Sequence, residues 1–168
     1  SKLMYNPLIE RNAFQRLYDM VLSYGVEETS DGHKKMSHYS FFDDPIDDGK
    51  DSIFGLKEPL SKLVNIIKSA AMGFGTEKRV ILLHGPVGSS KSTIVRLLKK
   101  GLEKYSREPE GALYTYSWKN EDDSTAGEWI DSPMHQSPLL LVPPESREKI
   151  VEELNRKIDR PYKLKVDG

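Results

Sequence analysis

The residues best suited to chemistry in this sequence lie at positions 85–93, which read Gly-Pro-Val-Gly-Ser-Ser-Lys-Ser-Thr. Glycines and small residues allow a tight turn whose backbone N–H groups converge on an anion. A lysine followed by a serine then offers a positive charge to phosphate oxygens and a hydroxyl to a bound metal ion. The spacing is that of a phosphate-binding loop, except that Ser90 stands where the usual pattern has its second glycine.

The role of each residue follows from the chemistry of its side chain. We predict that Lys91 neutralises the β- and γ-phosphates of a nucleotide and that the Ser92 hydroxyl binds Mg²⁺. Pro86 stiffens the turn. Three interpretations of Ser90 are open: its Cβ atom crowds the pyrophosphate, it requires an ordinary backbone conformation, or its hydroxyl donates to a phosphate. The predicted nucleotide-binding residues are Gly85, Pro86, Val87, Gly88, Ser89, Ser90, Lys91, Ser92 and Thr93.

The elements on either side give this loop the context that phosphate binding requires. Residues 80–83 are a short apolar run typical of a buried strand, and apolar residues recur at helical spacing after the loop. This order places a helix N-terminus, with its unpaired N–H groups and its dipole, at the anion. The alternative is a Gly/Ser-rich turn that only joins a strand to an amphipathic helix. The apolar positions of the helix are Ile94, Leu97, Leu98 and Leu102.

The rest of the chain alternates between helical and strand-like patterns. Helical periodicity predicts helices over residues 7–22, starting at Asn6-Pro7, over 56–71, ending at Gly73 or Gly75, and from Pro143-Pro144 towards Pro161. Residues 112–118 are rich in strand formers, and we expect them beside the strand at 80–83. Residues 23–52 are polar and predict a long connection, which Phe41 and Phe42 anchor to the core.

This alternation predicts an α/β fold with a partial parallel sheet, flanking helices and a preceding N-terminal helix. Only two or three strands are convincing, which is too few for a complete nucleotide-hydrolysing core. We therefore divide the chain into an N-terminal helix with its polar connection at residues 1–40 and a truncated α/β domain at residues 41–168. The first residue is serine and the last segment has no obvious stop, so we expect both ends to be cut.

The composition excludes several classes of function. With 168 residues and a formal net charge of −1, the chain lacks the positive charge of a protein that grips nucleic acid. It has no cysteine, which excludes disulfides and cysteine-bound zinc. No apolar run approaches the ~18 residues of a membrane span. We expect a soluble, cytoplasmic protein with neither a nucleic-acid nor a membrane partner.

Three other groups of residues could do chemistry, and each has a simpler interpretation. Five aspartates between positions 43 and 51 lack the spacing of a calcium loop, which favours a solvated acidic turn. Tyr114, Tyr116 and Trp118 alternate and could stack a base, but no basic groove accompanies them, which favours packing. The apolar run 139–142 ends in proline rather than the aspartate that P-loop enzymes use to hold Mg²⁺. We expect that aspartate beyond residue 168.

Three segments carry a family likeness: Ile53-Phe-Gly-Leu-Lys-Glu-Pro-Leu60, Leu83–Thr93 and Gly111–Trp118. Together they resemble the bacterial PrkA family of serine protein kinases, which have an AAA-type ATPase module near the N-terminus, and Ser90 matches the family's own form of the loop. The resemblance implies an AAA-type fold for residues 41–168, ATP and Mg²⁺ as cofactors, and adenine near residues 53–56. It also implies that the sensor residues, the arginine finger and the kinase region lie beyond residue 168.

The resemblance leaves the use of ATP open. The leading interpretation is the ATP-binding module of a PrkA-like serine/threonine protein kinase. The alternatives are a regulatory or assembly module switched by nucleotide, and an AAA machine that remodels or degrades proteins without kinase activity. The protein substrate or client is unknown, and homo-oligomerisation is an expectation for the full-length protein.

Overall fold

The computed structural model describes residues 6–31, 34–120 and 127–165. The chain divides into two compact units, one of them Arg11–Gly111 and the other Ser1–Glu10 together with Ala112–Gly168. The first unit contains α1 (Ala13–Ser23), β1 (Val26–Asp31), β2 (Lys34–Tyr39), α2 (Lys57–Ala71) and α3 (Lys91–Tyr105). The second contains β3 (Ser117–Lys119), β4 (Trp129–Asp131) and α4 (Pro144–Lys157).

Helix α1 begins later than the sequence predicts. A capping box fixes its start, because the Asn12 side chain accepts a hydrogen bond from the Gln15 N–H at 2.9 Å and the Gln15 side chain accepts one from the Asn12 N–H at 3.0 Å. The predicted start at Asn6-Pro7 is wrong, since Pro7–Glu10 form a 3₁₀ turn instead. Two polar side chains that bond each other's backbone therefore decide the boundary, and apolar spacing alone does not reveal it.

Strands β1 and β2 form an antiparallel hairpin in which Val26 pairs with Tyr39. The sequence predicts a connection here, because the strands are polar and show no apolar face to indicate a strand. The two phenylalanines that follow β2 are buried, which confirms the predicted anchor. Phe41 and Phe42 are 0% and 1% exposed, and their ring centroids lie 5.1 Å apart.

Helix α2 has the predicted apolar face and the predicted stop. It ends at Ala71, and Gly73 follows in the left-handed region at φ 72°. The Gly73 N–H donates to the Ala70 carbonyl at 3.0 Å, as is usual where a glycine ends a helix. The buried residues at predicted positions are Leu60, Leu63, Val64, Ile67 and Ala71.

The apolar run 80–83 is not paired into a sheet. Each sheet in the described residues is a two-stranded antiparallel hairpin, β1 with β2 and β3 with β4, and a parallel sheet is not among them. The Val80 and Leu82 side chains are 94% and 82% exposed. A strand obtains its backbone hydrogen bonds from neighbouring strands, so an apolar pattern alone does not produce one.

Helix α3 packs closely against the core of the first unit. Ile94 and Leu97 are buried as predicted, and the other two predicted positions are half-buried. A Cβ atom at Gly101 would lie 2.5 Å from a ring carbon of Phe41 and 2.8 Å from the sulfur of Met20. Glycine lowers helix propensity, so its presence in mid-helix is explained by this close approach.

Two buried arginines bind the backbone where α3 ends. Arg11 donates to the Asp19 carboxylate, to the Tyr105 hydroxyl at 2.9 Å and to the carbonyl just before Gly111. Arg16 donates to the Gly111 carbonyl. Both carbonyls belong to the turn that follows α3, and Arg11 reaches the last residue of the helix through the Tyr105 hydroxyl. Residues near the start of the chain therefore fix the end of α3.

The second unit has its own small core under α4. The helix begins at Pro144, as the Pro143-Pro144 pair predicts, since proline suits the first helical position. The Glu10 carboxylate accepts a hydrogen bond from the Ser137 hydroxyl at 2.5 Å. Burial raises the pKa of Glu10, and the bond from Ser137 opposes this shift. The core residues are Leu139, Val151, Leu154, Ile158 and Leu164.

The strand predicted at 112–118 is shorter than expected and has another partner. Only the end of that segment lies in a strand, β3, and Trp118 pairs with Ile130 of β4. The expected neighbour at 80–83 is therefore not its partner in the structure. Trp118 is 44% exposed and its ring centroid lies 6.2 Å from that of Tyr116, so the aromatic residues form surface contacts rather than a core.

Candidate phosphate-binding site

The loop at residues 85–90 has left-handed backbone at Gly88 and at Ser90, the position where the pattern has its second glycine. Gly88 has φ 82° and Ser90 has φ 59°. Ser90 therefore takes the conformation that a glycine would favour, which rejects the expectation that it demands an ordinary backbone conformation. Ser90 is also the N-cap of α3, and its carbonyl accepts the Ile94 N–H at 2.9 Å. In the described structure its side chain makes no capping hydrogen bond, so the first N–H groups of α3 remain available to an anion.

Lys91 folds back over the loop that precedes it. Its ammonium donates to the Gly85 carbonyl at 2.7 Å, to the Pro86 carbonyl at 2.5 Å and to the Ser89 hydroxyl at 2.9 Å. The Ser89 hydroxyl itself donates to the Pro86 carbonyl at 2.7 Å. Three bonds match the three donors of an ammonium group. The positive charge thus lies within the curve of the loop, close to the uncapped start of α3.

A shallow groove of about 590 Å³ runs from this loop along one side of α3. Ser92 is exposed and lines the groove beside Lys91. Neither Thr93, which is half-buried, nor Val87, which is fully exposed, lines the groove. The lining residues are Leu83, Lys91, Ser92, Val95, Arg96, Lys99, Lys100 and Glu103. The lining has four cations and one carboxylate, but Arg96 and Lys100 are paired with aspartates outside the lining, so Lys91 and Lys99 are the cations suited to an anionic ligand.

Aspartates of the segment before α2 contact α3, and the expectation of a solvated acidic turn is wrong for Asp44 and Asp51. Asp44 is 0% exposed and lies 3.1 Å from the Lys100 ammonium. Lys100 also lies 3.2 Å from Asp47. Arg96 donates to both oxygens of Asp51, at 2.9 and 2.5 Å. These bonds lower the pKa of Asp51, chiefly through the hydrogen bond from Arg96. Arg96 and Lys100 follow Ser92 by four and eight residues, a spacing that places all three on one side of a helix. This spacing is the sequence signal that could have identified the two cations as neighbours of the site.

The segment predicted to lie near adenine borders a small cavity of about 80 Å³. Ile53 is buried, and its N–H donates to the Phe42 carbonyl at 3.0 Å. Phe54 is 83% exposed and Gly55 has φ 75°. His38 and Asp43, whose side chains are 2.8 Å apart, also line the cavity. The cavity combines apolar walls with a polar edge, and its volume is below the ~300 Å³ at which small-molecule sites typically begin.

Metal binding has few candidates in the described part of the chain. No group of three or more His, Cys, Asp or Glu side chains is arranged there to hold a metal ion. Residues 139–141 of the apolar run lie in a 3₁₀ turn, Pro138–Leu141, rather than in a strand, which agrees with the rejection of this run as a metal-binding strand. Ser92 offers a single neutral oxygen, and Mg²⁺ accepts such a ligand together with phosphate oxygens and water. Among the described helices, none is long and apolar enough to cross a membrane.

A glycine-rich loop that leads into an uncapped helix beginning Lys-Ser is the defining feature of the P-loop NTPases, a class of α/β proteins. The family model described as the PrkA AAA domain matches residues 2–163. The chain therefore belongs to the PrkA AAA domain family. Its fold class is the α/β fold of the P-loop NTPases.

Two curated relatives from different bacteria have different names. The chain is 37% identical over 155 residues to the "ATP-dependent protease PrkA" of Bacillus subtilis (strain 168), covering 92% of this chain and 21% of that protein. It is 25% identical over 103 residues to the "Serine/threonine kinase YeaG" of Escherichia coli (strain K12), covering 61% of this chain and 14% of that protein. The chain thus spans about a fifth or less of these relatives. No solved structure matches it.

Proposed function

We propose that this chain is an ATP-binding AAA module that holds Mg·ATP on residues 85–93. The observation that carries the proposal is the position of the Lys91 ammonium within the loop, next to an α3 N-terminus that no side chain caps in the described structure. Uncapped N–H groups, a helix dipole and a nearby cation all favour the same ligand, a polyphosphate.

The proposed roles divide the nucleotide between two segments. Lys91 exchanges part of its bonding to the loop for the β- and γ-phosphates, and Ser92 contributes its hydroxyl to Mg²⁺. Residues 53–56 lie near the adenine, where the cavity bordered by Ile53, Phe54 and Gly55 supplies apolar contact. We propose one strand of a parallel sheet at residues 79–83, whose exposed Val80 and Leu82 fit a strand that is covered on both faces in the complete domain.

Binding of Mg·ATP to the purified protein, measured by isothermal titration calorimetry, tests this proposal. Lys91→Ala should weaken binding by about 10- to 150-fold, as expected for the loss of hydrogen bonds to a charged group. Lys104→Ala is the matched control, since Lys104 is an exposed lysine in the last turn of the same helix. Equal affinity of the Lys91→Ala variant and the parent protein would refute the assignment.

We propose that the bound ATP serves phosphorylation of a protein by the full-length protein, as the name of the E. coli relative suggests. The second candidate is an ATP-driven machine that remodels or degrades proteins. The name of the Bacillus relative, which shares more of its sequence with this chain, favours this candidate. A third is a nucleotide-switched assembly module. Full-length protein incubated with γ-labelled ATP and a protein substrate separates them: transfer of label, appearance of cleaved fragments, or nucleotide-dependent oligomers alone.

A further inference from the structure

The acidic segment at residues 44–51 is joined to α3 at two successive turns. Arg96 binds both oxygens of Asp51, and one turn further on Lys100 binds Asp44. We call these two ion pairs the acid clamp. Asp44 also accepts the Asp51 N–H at 3.0 Å, so the buried carboxylate fixes the backbone at the residue that meets Arg96. The clamp is therefore preformed on the acidic side.

The acid clamp connects the two segments that the proposed function assigns to different parts of ATP. Arg96 lies five residues after Lys91 on the same helix, about 7.5 Å along its axis. Asp51 lies two residues before Ile53, which borders the cavity assigned to adenine. A movement of the acidic segment relative to α3 would therefore change the separation of the nucleoside and phosphate sites.

We infer that the Asp51–Arg96 pair is a positioning element that sets the separation between the nucleoside and the phosphates. This inference rests on the proposed function. Neither residue binds ATP in this interpretation, because the Asp51 carboxylate neutralises the charge of Arg96 and holds its guanidinium through the Nε and Nη2 donors. The pair instead holds the adenine-binding segment at the distance that a loop-bound triphosphate requires. Preorganised spacing of this kind reduces the entropy lost when a ligand that spans both sites binds.

Comparison of two ligands tests the inference. Mg·ATP needs both sites, whereas inorganic triphosphate needs only the loop. Asp51→Asn and Arg96→Gln should each weaken Mg·ATP binding by at least about fivefold, the lower end of coupling between protein sites. Triphosphate affinity should stay within about twofold, since the loop and Lys91 are unchanged. The charge-exchanged double variant, Asp51→Arg with Arg96→Asp, should recover most of the ATP affinity.

A control and three contrary results complete the design. Arg107→Gln removes an exposed ion pair with Glu103 at the far end of α3 and should change neither affinity. Equal weakening of both ligands by Asp51→Asn would overturn the inference in favour of a general disturbance of α3. Stronger triphosphate binding by that variant would also overturn it, because Arg96 would then be a phosphate ligand held back by Asp51. Failure of the unaltered protein to bind triphosphate would refute the proposed function itself.

Discussion

Ser90 has φ 59° and ψ 13°, which is the left-handed conformation, at the residue that precedes α3. Its side chain gives the helix no capping bond within the described structure, so the hydroxyl does not compensate for an unfavourable backbone. Ser90→Gly removes the Cβ atom that makes the left-handed conformation unfavourable, and it leaves the rest of the loop unchanged. This variant also restores the residue that the usual phosphate-loop pattern has at this position.

The expected effect of Ser90→Gly is the difference between two opposing contributions. A non-glycine residue in the left-handed region is destabilised by about 1–2 kcal/mol. Glycine loses more backbone freedom on folding, which opposes the gain by about 0.5–1 kcal/mol. We therefore expect the free energy of unfolding to rise by about 0.5–1 kcal/mol, and Tm to rise by about 1–4 °C for a chain of this size.

Equilibrium unfolding in urea measures this difference, with Ser90→Ala as the matched control. Alanine removes the hydroxyl but keeps the Cβ atom, so it should give no increase in stability. Equal stabilisation by alanine and glycine, or a lower urea midpoint for the glycine variant, would show that the left-handed backbone of Ser90 is not strained. Mg·ATP affinity should remain within a few-fold of the parent in the glycine variant, because the loop conformation is already the one glycine favours.

For three further substitutions the direction of the change in stability is predicted. Gly101→Ala should lower the free energy of unfolding by about 1–2 kcal/mol in urea unfolding, because overpacking against Phe41 exceeds the ~1 kcal/mol gain in helix propensity. Gly111→Ala should be at least as destabilising in the same assay, since its Cβ would meet a backbone carbonyl at 2.0 Å. Glu10→Gln should raise Tm at pH 7: burial raises the folded-state pKa of Glu10, so stability is lost as pH rises above the ordinary value of 4.5. The Glu10→Gln variant should not lose stability in this way. The same dependence of Tm on pH in the variant and the parent between pH 4 and 7 would contradict this expectation.

Helical periodicity in the sequence was sufficient to identify α2, α3 and α4. Their apolar faces recur every three or four residues, and a proline or glycine marks one end of α4 and of α2, at Pro144 and Gly73. The position of Lys91 and Ser92 at the start of α3 was also predictable, since the spacing of these residues from Gly85 is set by one local turn. Local chemistry decides all of these features, so a single sequence is enough to show them.

Features that depend on distant partners were not predictable. The acidic segment looked solvated because nothing in its own sequence shows that Asp51 meets Arg96, forty-five residues away. The hairpin β1–β2 was missed because its strands are polar. The left-handed backbone of Ser90 was equally hidden, since serine rarely takes it. In each case a contact between separate segments, or a strained residue, overrides the local pattern.

The arginines that bind the end of α3 have a consequence for how the sequence can change over time. Arg11 and Arg16 satisfy carbonyls that follow α3, and those carbonyls lie more than ninety positions away along the chain. A substitution at either arginine leaves those carbonyls unsatisfied, and a reshaped turn before Gly111 would leave a guanidinium buried without a partner. We expect the two regions to change together among homologous sequences. Correlated substitution at these positions would record, without any structure, that the first helix and the phosphate-loop helix fold as one piece.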